Sequence, residues 1–402
     1  MINPPEIPST AVPAEGECAG RARKQLSFFL SACLGLFVAD GVLSLGSALL
    51  SAFDIRIPGA AEALVSLVGF SALAITFLTY LLMGLTPLIP KRFFLPIALF
   101  YPAGWLLLVP AAIYLQDQIL SVILALSLVQ VALGLTIAFL LKSGRTSRLE
   151  LVPAGRLSGR NFSWRHSIVF VLANVVMLAA AITYLGLCSS LAVDHFTDGF
   201  VSLRPHGLDV RVRKYIRDDQ KTIWLVPMVH IGHPKYYETL SKLLPAGGVV
   251  LNEGVTDRKN LLTNDVSYAR AATMLGLEEQ RKSFELPGKA VAADLDVDQF
   301  SPGTIHMLNV VLLPHSKGFN SETLKRLSEY QPTDEDVDQC WDDLLGKRNL
   351  NLLAGIASWL PESETIIVPW GAAHMPGIAS GIQEMGFRCK EEQGITAIPF
   401  RR

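Results

Sequence analysis

Hydrophobic and polar positions divide this chain into two regimes. From about residue 27 to 193 apolar residues run on with few interruptions, and from about 194 short apolar runs alternate with charged, amphipathic stretches. Five of the long runs, Ser27–Phe53, Ala60–Leu88, Phe93–Tyr114, Ile119–Leu141 and Ile168–Val193, reach the roughly 20 helical residues that a hydrocarbon core requires. They predict a five-helix transmembrane bundle. Residues 1–26 hold several prolines and polar groups and predict a disordered tail. A secretory leader is not expected, because a long span follows this tail in place of a short apolar core with a small-residue cleavage site. Cys18 precedes an apolar stretch, so the lipoprotein pattern is not met either.

The second regime, residues 194–402, is long enough for one α/β core. Strands are predicted at Gly207–Tyr215, Thr222–His230, Val249–Glu253, Ala290–Asp294, Thr365–Pro369 and Ile395–Phe400. Helices are predicted near Lys235–Leu244, Asp265–Lys282, Ser301–Leu313, Ser321–Glu329, Asp334–Leu360 and from Pro376 to Gly386. Such alternation predicts a mainly parallel sheet covered by helices. Two of the runs, Ile223–His230 and Ile366–His374, are apolar along their length and close on a histidine. That is the signature of strands buried on both faces, whose carboxyl ends open onto a ligand crevice.

Charge decides the orientation. Arg21, Arg23 and Lys24 precede the first span, Lys91 and Arg92 separate the second from the third, and Lys142, Arg145, Arg148, Arg156, Arg160 and Arg165 separate the fourth from the fifth. The opposite side carries Arg56 beside Asp54 and Asp117. Basic short loops stay cytoplasmic, so the expected protein is a multi-pass protein of the cell (inner) membrane with its N-terminus inside and its C-terminal domain outside the cytoplasm. A net charge of −1 over 402 residues provides no global basic field for nucleic acid. Five cysteines make no disulfide scaffold, and Cys340 and Cys389, both in the outer region, sit where a disulfide is chemically permitted. Asp40 is the acidic residue deep within a span; without a second intramembrane titratable group to make a relay, it is expected either to be protonated or to face the bundle and bond a polar group such as Gln130 or Asn174.

Four predicted strands end in groups that bind metals or move protons: His230, Glu253, Asp294 and His374. A parallel sheet gathers its strand ends, and two imidazoles with two carboxylates suit a borderline divalent cation. His230-Ile-Gly-His233 resembles a ligand pair, though His233, followed by Pro234 at the start of a helix, reads as a helix cap or a substrate-facing loop residue; His306 and His315 read as surface or packing residues, and Asp296 and Asp298 as loop acids or caps.

These residues lie in segments that resemble the TraB/PrgY/GumN and Tiki group, which is related to the ChaN and erythromycin-esterase folds. The segments are Val229-His-Ile-Gly-His-Pro-Lys-Tyr236, Val249-Val-Leu-Asn-Glu-Gly254, Ala292–Thr304, Lys347-Arg-Asn349 and Val368–Ile378, spread over about residues 224–400. The resemblance implies a TraB/ChaN-like domain and a metal-dependent, peptidase-like hydrolase. It implies His230, His374 and Glu253 as ligands of a divalent ion (manganese, cobalt or zinc). It further implies Glu253 or Asp294 as general base, and Arg348 or Asn349 as groups that stabilise an oxyanion or hold substrate. Gly371-Ala-Ala-His374 matches the family's Gly-x-x-His motif; Pro227-Met-Val-His230 has proline in place of the glycine, and Lys347 replaces an acidic residue that often precedes the arginine. Arg348 is equally readable as a helix arginine paired with an acidic neighbour such as Asp343.

The expected partners are the lipid bilayer and a peptide or small-molecule substrate. The alternative is a non-catalytic module outside the cytoplasm that captures a peptide, haem or metal ion and is coupled to the membrane bundle. A transporter with an accessory domain is the weakest reading, since Asp40 alone supplies intramembrane charge.

Overall fold

The computed structural model describes residues 15–55, 58–142, 151–264, 268–284 and 288–400. The chain forms two compact units, Met1–Cys188 and Ser189–Arg402.

The first unit contains α1 (Glu15–Ala52), α2 (Gly59–Leu85), α3 (Lys91–Tyr114) and α4 (Ile119–Leu141), and the greater part of α5 (Trp164–Phe196). All five helices are long and apolar enough to cross a membrane. The first starts at Glu15, so residues 15–26 of the expected tail are helical; residues 1–14 and the basic residues Arg56, Arg145 and Arg148 lie outside the described residues. Leu30, Leu34 and Phe37 of α1 pack with Phe94 and Ile97 of α3 and with Ile137 and Leu141 of α4. Gly134 permits the close approach of α4 to α1, because a Cβ there would overlap Val38. After α4 the chain returns to this core through Val152 and Leu157. Ser27 Oγ donates to the Val152 carbonyl at 2.5 Å, and the Val152 N–H donates to Ser31 Oγ at 3.0 Å.

Asp40 faces the bundle as expected. Its Oδ2 accepts from Gln130 Nε2 at 2.8 Å and from the Tyr101 hydroxyl at 2.9 Å, which ties α1 to α4 and α3. Asn174, the other expected partner, instead accepts from the Tyr80 hydroxyl at 2.7 Å. The most apolar stretch of α5 has no buried residue, yet one side of the helix meets the bundle: Phe170 lies against the Tyr80 ring with centroids 4.9 Å apart, and the Tyr184 hydroxyl donates to the Leu106 carbonyl at 2.6 Å.

The second unit opens with β1 (Val201–Arg204), β2 (Gly207–Ile216), β3 (Thr222–Met228), β4 (Ile231–Gly232), α6 (Pro234–Leu243) and β5 (Val249–Asn252). There follow α7 (Ala269–Leu275), β6 (Glu278–Glu279), α8 (Gln280–Ser283), β7 (Lys289–Ala292), α9 (Pro302–Val311), α10 (Leu313–Lys317), α11 (Ser321–Glu329) and α12 (Asp334–Trp341). A π-turn, Asp342–Lys347, leads into α13 (Arg348–Trp359), and the chain ends with β8 (Thr365–Gly371), α14 (Met375–Glu384) and β9 (Arg388–Pro399).

The main sheet has seven strands. It is mixed, which corrects the expectation of a mainly parallel sheet. The pairs β3/β8, β8/β5 and β5/β7 are parallel, whereas β1/β2, β2/β3 and β2/β9 are antiparallel. The cause is local: the polar turn after β2 is too short for a crossover helix, so β3 must return antiparallel. The first seven residues of β9 are exposed and mostly polar, so no apolar run marks them as strand. In β8, Ile366, Val368 and Trp370 enter one core with Met375, Ile378 and Ile382 of α14, and Ile367 enters the other with Tyr236, Tyr237 and Leu240 of α6. Burial on both faces is the reason this strand reads as a continuous apolar run. The expected helix at 265–282 is broken: among the described residues only α7 and α8 are helical there, separated by Gly276 in the left-handed region at φ 65° and by β6.

Candidate functional site

Glu253, Asp294 and His374 follow the carboxyl ends of the neighbouring parallel strands β5, β7 and β8. Arg348 and Asn349 begin α13, directly after the π-turn. A π-turn adds a residue to the helical repeat, and such insertions recur at functional sites because they re-aim side chains. Here two consecutive residues are delivered to the sheet edge.

Arg348 is 8% exposed and binds both carboxylates. Nε and Nη2 donate to Asp294 Oδ1 and Oδ2 at 2.9 and 2.7 Å, and Nη2 also donates to Glu253 Oε1 at 2.8 Å. Asp343, the suggested partner of Arg348, is instead engaged by Lys347, by Gln339 and by the Ser301 backbone N–H. Asp294 takes two more bonds, from the Gly254 N–H at 2.9 Å and from its neighbour Leu295 at 2.8 Å. Burial pushes the Asp294 carboxyl up, but the fork and charge of Arg348 and the two backbone N–H groups outweigh it, so the acid is held below its usual range. With four donors on two oxygens Asp294 is an anchor for Arg348. A general base needs a free lone pair, which Asp294 lacks.

Glu253 Oε2 accepts from the Gly371 N–H at 2.5 Å. A Cβ at residue 371 would lie 3.3 Å from that oxygen, which gives the glycine of the Gly-x-x-His motif a physical reason. His374 is 4% exposed and lies edge-on to Trp370, with ring centroids 5.1 Å apart. Its Nδ1 is 2.7 Å from Asn349 Oδ1. With the amide oxygen facing the ring, Nδ1 carries the hydrogen and Nε2 keeps a lone pair, 3.5 Å from Glu253 Oε1. Burial, reinforced by the Arg348 charge and only partly opposed by Glu253 and Asp294, lowers the His374 pKa to about 4. The ring is therefore neutral at pH 7, and its approach to Glu253 is not yet an ion pair.

His230 makes an aromatic contact. It is exposed and stacks on Tyr268, with centroids 4.7 Å apart and planes 14° from parallel. Burial first and the Glu253 charge second raise the Tyr268 pKa, so this ring senses the cluster while touching His230. Tyr268 has no motif in the sequence; the signal was tertiary. His233 caps α6, its Nδ1 accepting from the Lys235 N–H at 3.2 Å, and Asp296 accepts from the Asp298 N–H and from Thr256 Oγ1.

The proline at 227 is accommodated by the sheet. The Thr222 N–H donates to Glu364, so alternate residues of β3 face the β8 side and the Pro227 nitrogen points toward β2, past the last β2/β3 pair, Arg213–Leu225. No ladder bond is lost there. Cys340 and Cys389 are both free thiols, the first buried and the second exposed.

A catalytic zinc site keeps three protein ligands and an open position. Here Glu253 and His374 Nε2 are available, Asp294 is committed to Arg348, and His230 is stacked on Tyr268. Among the described residues no group of three or more His, Cys, Asp and Glu side chains is disposed to hold a metal ion. Of the ligand set implied by the TraB/Tiki resemblance, Glu253 and His374 lie side by side, with His374 Nε2 3.5 Å from Glu253 Oε1. What the arrangement offers is a neutral, oriented imidazole beside a carboxylate and a buried guanidinium. Comparison with family models, with curated proteins and with solved structures finds no match to this chain.

Proposed function

We propose that the C-terminal unit is a hydrolase, peptidase-like in its choice of an amide or related ester, carried on the membrane with its catalytic domain outside the cytoplasm. The supporting observation is His374: Nδ1 is fixed on Asn349 at 2.7 Å while Nε2 faces Glu253 with its lone pair free. That is the posture of a general base. A water beside Nε2 gives up a proton to the ring as its oxygen attacks the carbonyl carbon. Glu253, 3.5 Å away, then receives the new imidazolium as counter-ion. The C–N or C–O bond breaks and the same proton passes from Nε2 to the leaving group. Arg348 supplies the buried positive charge against which the developing oxyanion is stabilised. The family resemblance supports the substrate class, and the distribution of basic loops supports the orientation.

The test is hydrolysis of peptide and ester panels by the full-length protein in micelles, with chelator and with added zinc, manganese or cobalt. Turnover in chelator, lost in His374→Gln and Glu253→Gln, is expected. Turnover unchanged by both substitutions overturns the proposal. Turnover that requires added metal replaces it with the metal-dependent form, and saturable peptide binding without turnover replaces it with a capture module.

A further inference from the structure

Thr263 and Asn264, together with α9, α10 and α11, line an open cleft of about 430 Å³ that shares no lining residue with the His374 cluster. One face of α9 and α10 lines it through His306 and Lys317, and α11 with the residue after it lines it through Arg326, Glu329 and Tyr330. Residues 306 and 317 are eleven apart, three helical turns, so they fall on one side of this nearly continuous helical stretch. The floor is settled: Asn264, 6% exposed, donates to the Asn309 carbonyl at 2.9 Å and accepts from Ser316 Oγ at 2.6 Å.

The walls are not. Among the described residues neither Lys317 Nζ nor the Tyr330 hydroxyl has a hydrogen-bond or ion-pair partner, and the His306 ring contacts only the Tyr330 ring, edge-on at 5.4 Å. Arg326 pairs with Glu322 on its own helix at 3.1 Å, both side chains being mostly exposed, which leaves its guanidinium easily redirected. Glu329 is the acidic lining residue, and Lys325 lies 3.7 Å from its carboxylate. Burial, with smaller contributions from Asp336 and Cys340, raises the Tyr330 pKa, so its hydroxyl remains a donor. Two cations, a phenol and an imidazole thus line one cleft whose acidic lining residue is Glu329, and among the described residues the Lys317 ammonium and the Tyr330 hydroxyl have no hydrogen-bond or ion-pair partner.

We propose that this cleft binds a small oxyanion, a carboxylate or a phosphate, between Lys317 and Arg326. The guanidinium supplies a planar fork and the ammonium a point charge, and the Tyr330 hydroxyl adds a neutral donor. This assignment is independent of the hydrolase reading, since none of its residues touches Glu253, Arg348 or His374.

The experiment is equilibrium binding of inorganic phosphate, and of acetate in a parallel arm, to the full-length protein in micelles at fixed ionic strength. The same titrations are made on the double variant Lys317→Ala/Arg326→Gln, whose altered side chains are exposed. One saturable site per chain, weakened about tenfold or more in the variant while its melting temperature is unchanged, is expected. The tighter arm names the ligand class. Binding equal in the variant, or no saturation in either arm into the millimolar range, overturns the proposal. If the variant unfolds, Tyr330→Phe is titrated in its place, and an unchanged affinity there counts against the site.

Discussion

Asn349 Oδ1 lies 2.7 Å from His374 Nδ1, so a single helix residue selects the tautomer of the imidazole. Asn349→Leu removes the acceptor, while Asn349→Asp keeps one. Nitrogen-15 NMR of the histidine ring is expected to show the Nδ1–H form in the parent and in Asn349→Asp, and a mixture in Asn349→Leu. A ring that keeps one tautomer in all three proteins would show that Asn349 does not set it.

Arg348 is held by two carboxylates of which Asp294 has a side chain only 1% exposed. Removing one partner of such a pair strands a buried charge, so Arg348→Ala and Asp294→Ala are each expected to cost about 3–5 kcal/mol. Arg348→Lys keeps the charge but not the fork and falls between. Chemical unfolding followed by near-ultraviolet signal from Trp370, whose ring lies 5.4 Å from the guanidinium, measures this. Losses below about 1 kcal/mol would place the pair among surface interactions.

Acid should weaken the fold in two steps. His374 is neutral in the folded chain down to about pH 4 but protonates from 6.5 when unfolded, so the unfolded state binds more protons across that interval. Stability therefore falls as pH drops from 6.5 to about 4, and His374→Gln should lack this slope. Asp343, pushed up by burial but pulled down to about 2 by Lys347, Thr304 and Ser301, adds stability that is complete above 3.8 and lost as pH falls through about 2. Melting temperature against pH for the parent, His374→Gln and Asp343→Asn separates the steps; parallel curves for all three would reject the assignment.

In the bundle, Tyr101→Phe removes one of the two donors on Asp40 and is expected to cost about 0.6 kcal/mol, the usual size of an interhelical hydrogen bond in lipid. Asp40→Ala leaves both donors without their acceptor and should cost about 1–3 kcal/mol. Unfolding in mixed detergent micelles measures both. An Asp40→Ala protein as stable as the parent would mean that Tyr101 and Gln130 find other acceptors.

Long elements with one dominant pattern were legible in the sequence. The span Ile119–Leu141 and the helix Ser321–Glu329 have the bounds their apolar and capping residues predict. Strand ends were legible as well, because burial on both faces makes the parallel strands apolar throughout and their terminal polar residues conspicuous. Pairings across the fold were not. Asp343 is near Arg348 along the helix, whereas the actual partners, Glu253 and Asp294, are 95 and 54 residues away. His230 was expected to end its strand but lies two residues past Met228, where β3 ends, and its ring stacks on Tyr268, a residue without motif or periodicity. The antiparallel half of the sheet was only partly visible, since the exposed start of β9 resembles a loop in composition.

The π-turn Asp342–Lys347 makes the site depend on residue count as well as residue type. Each residue turns an α-helix by about 100°. Deleting one residue between 342 and 347 would restore an ordinary helix and rotate Arg348 and Asn349 together, away from Asp294, Glu253 and His374. Substitution can remove these contacts one at a time; a one-residue deletion would disconnect the guanidinium and the amide in a single step while every site residue remained in the chain.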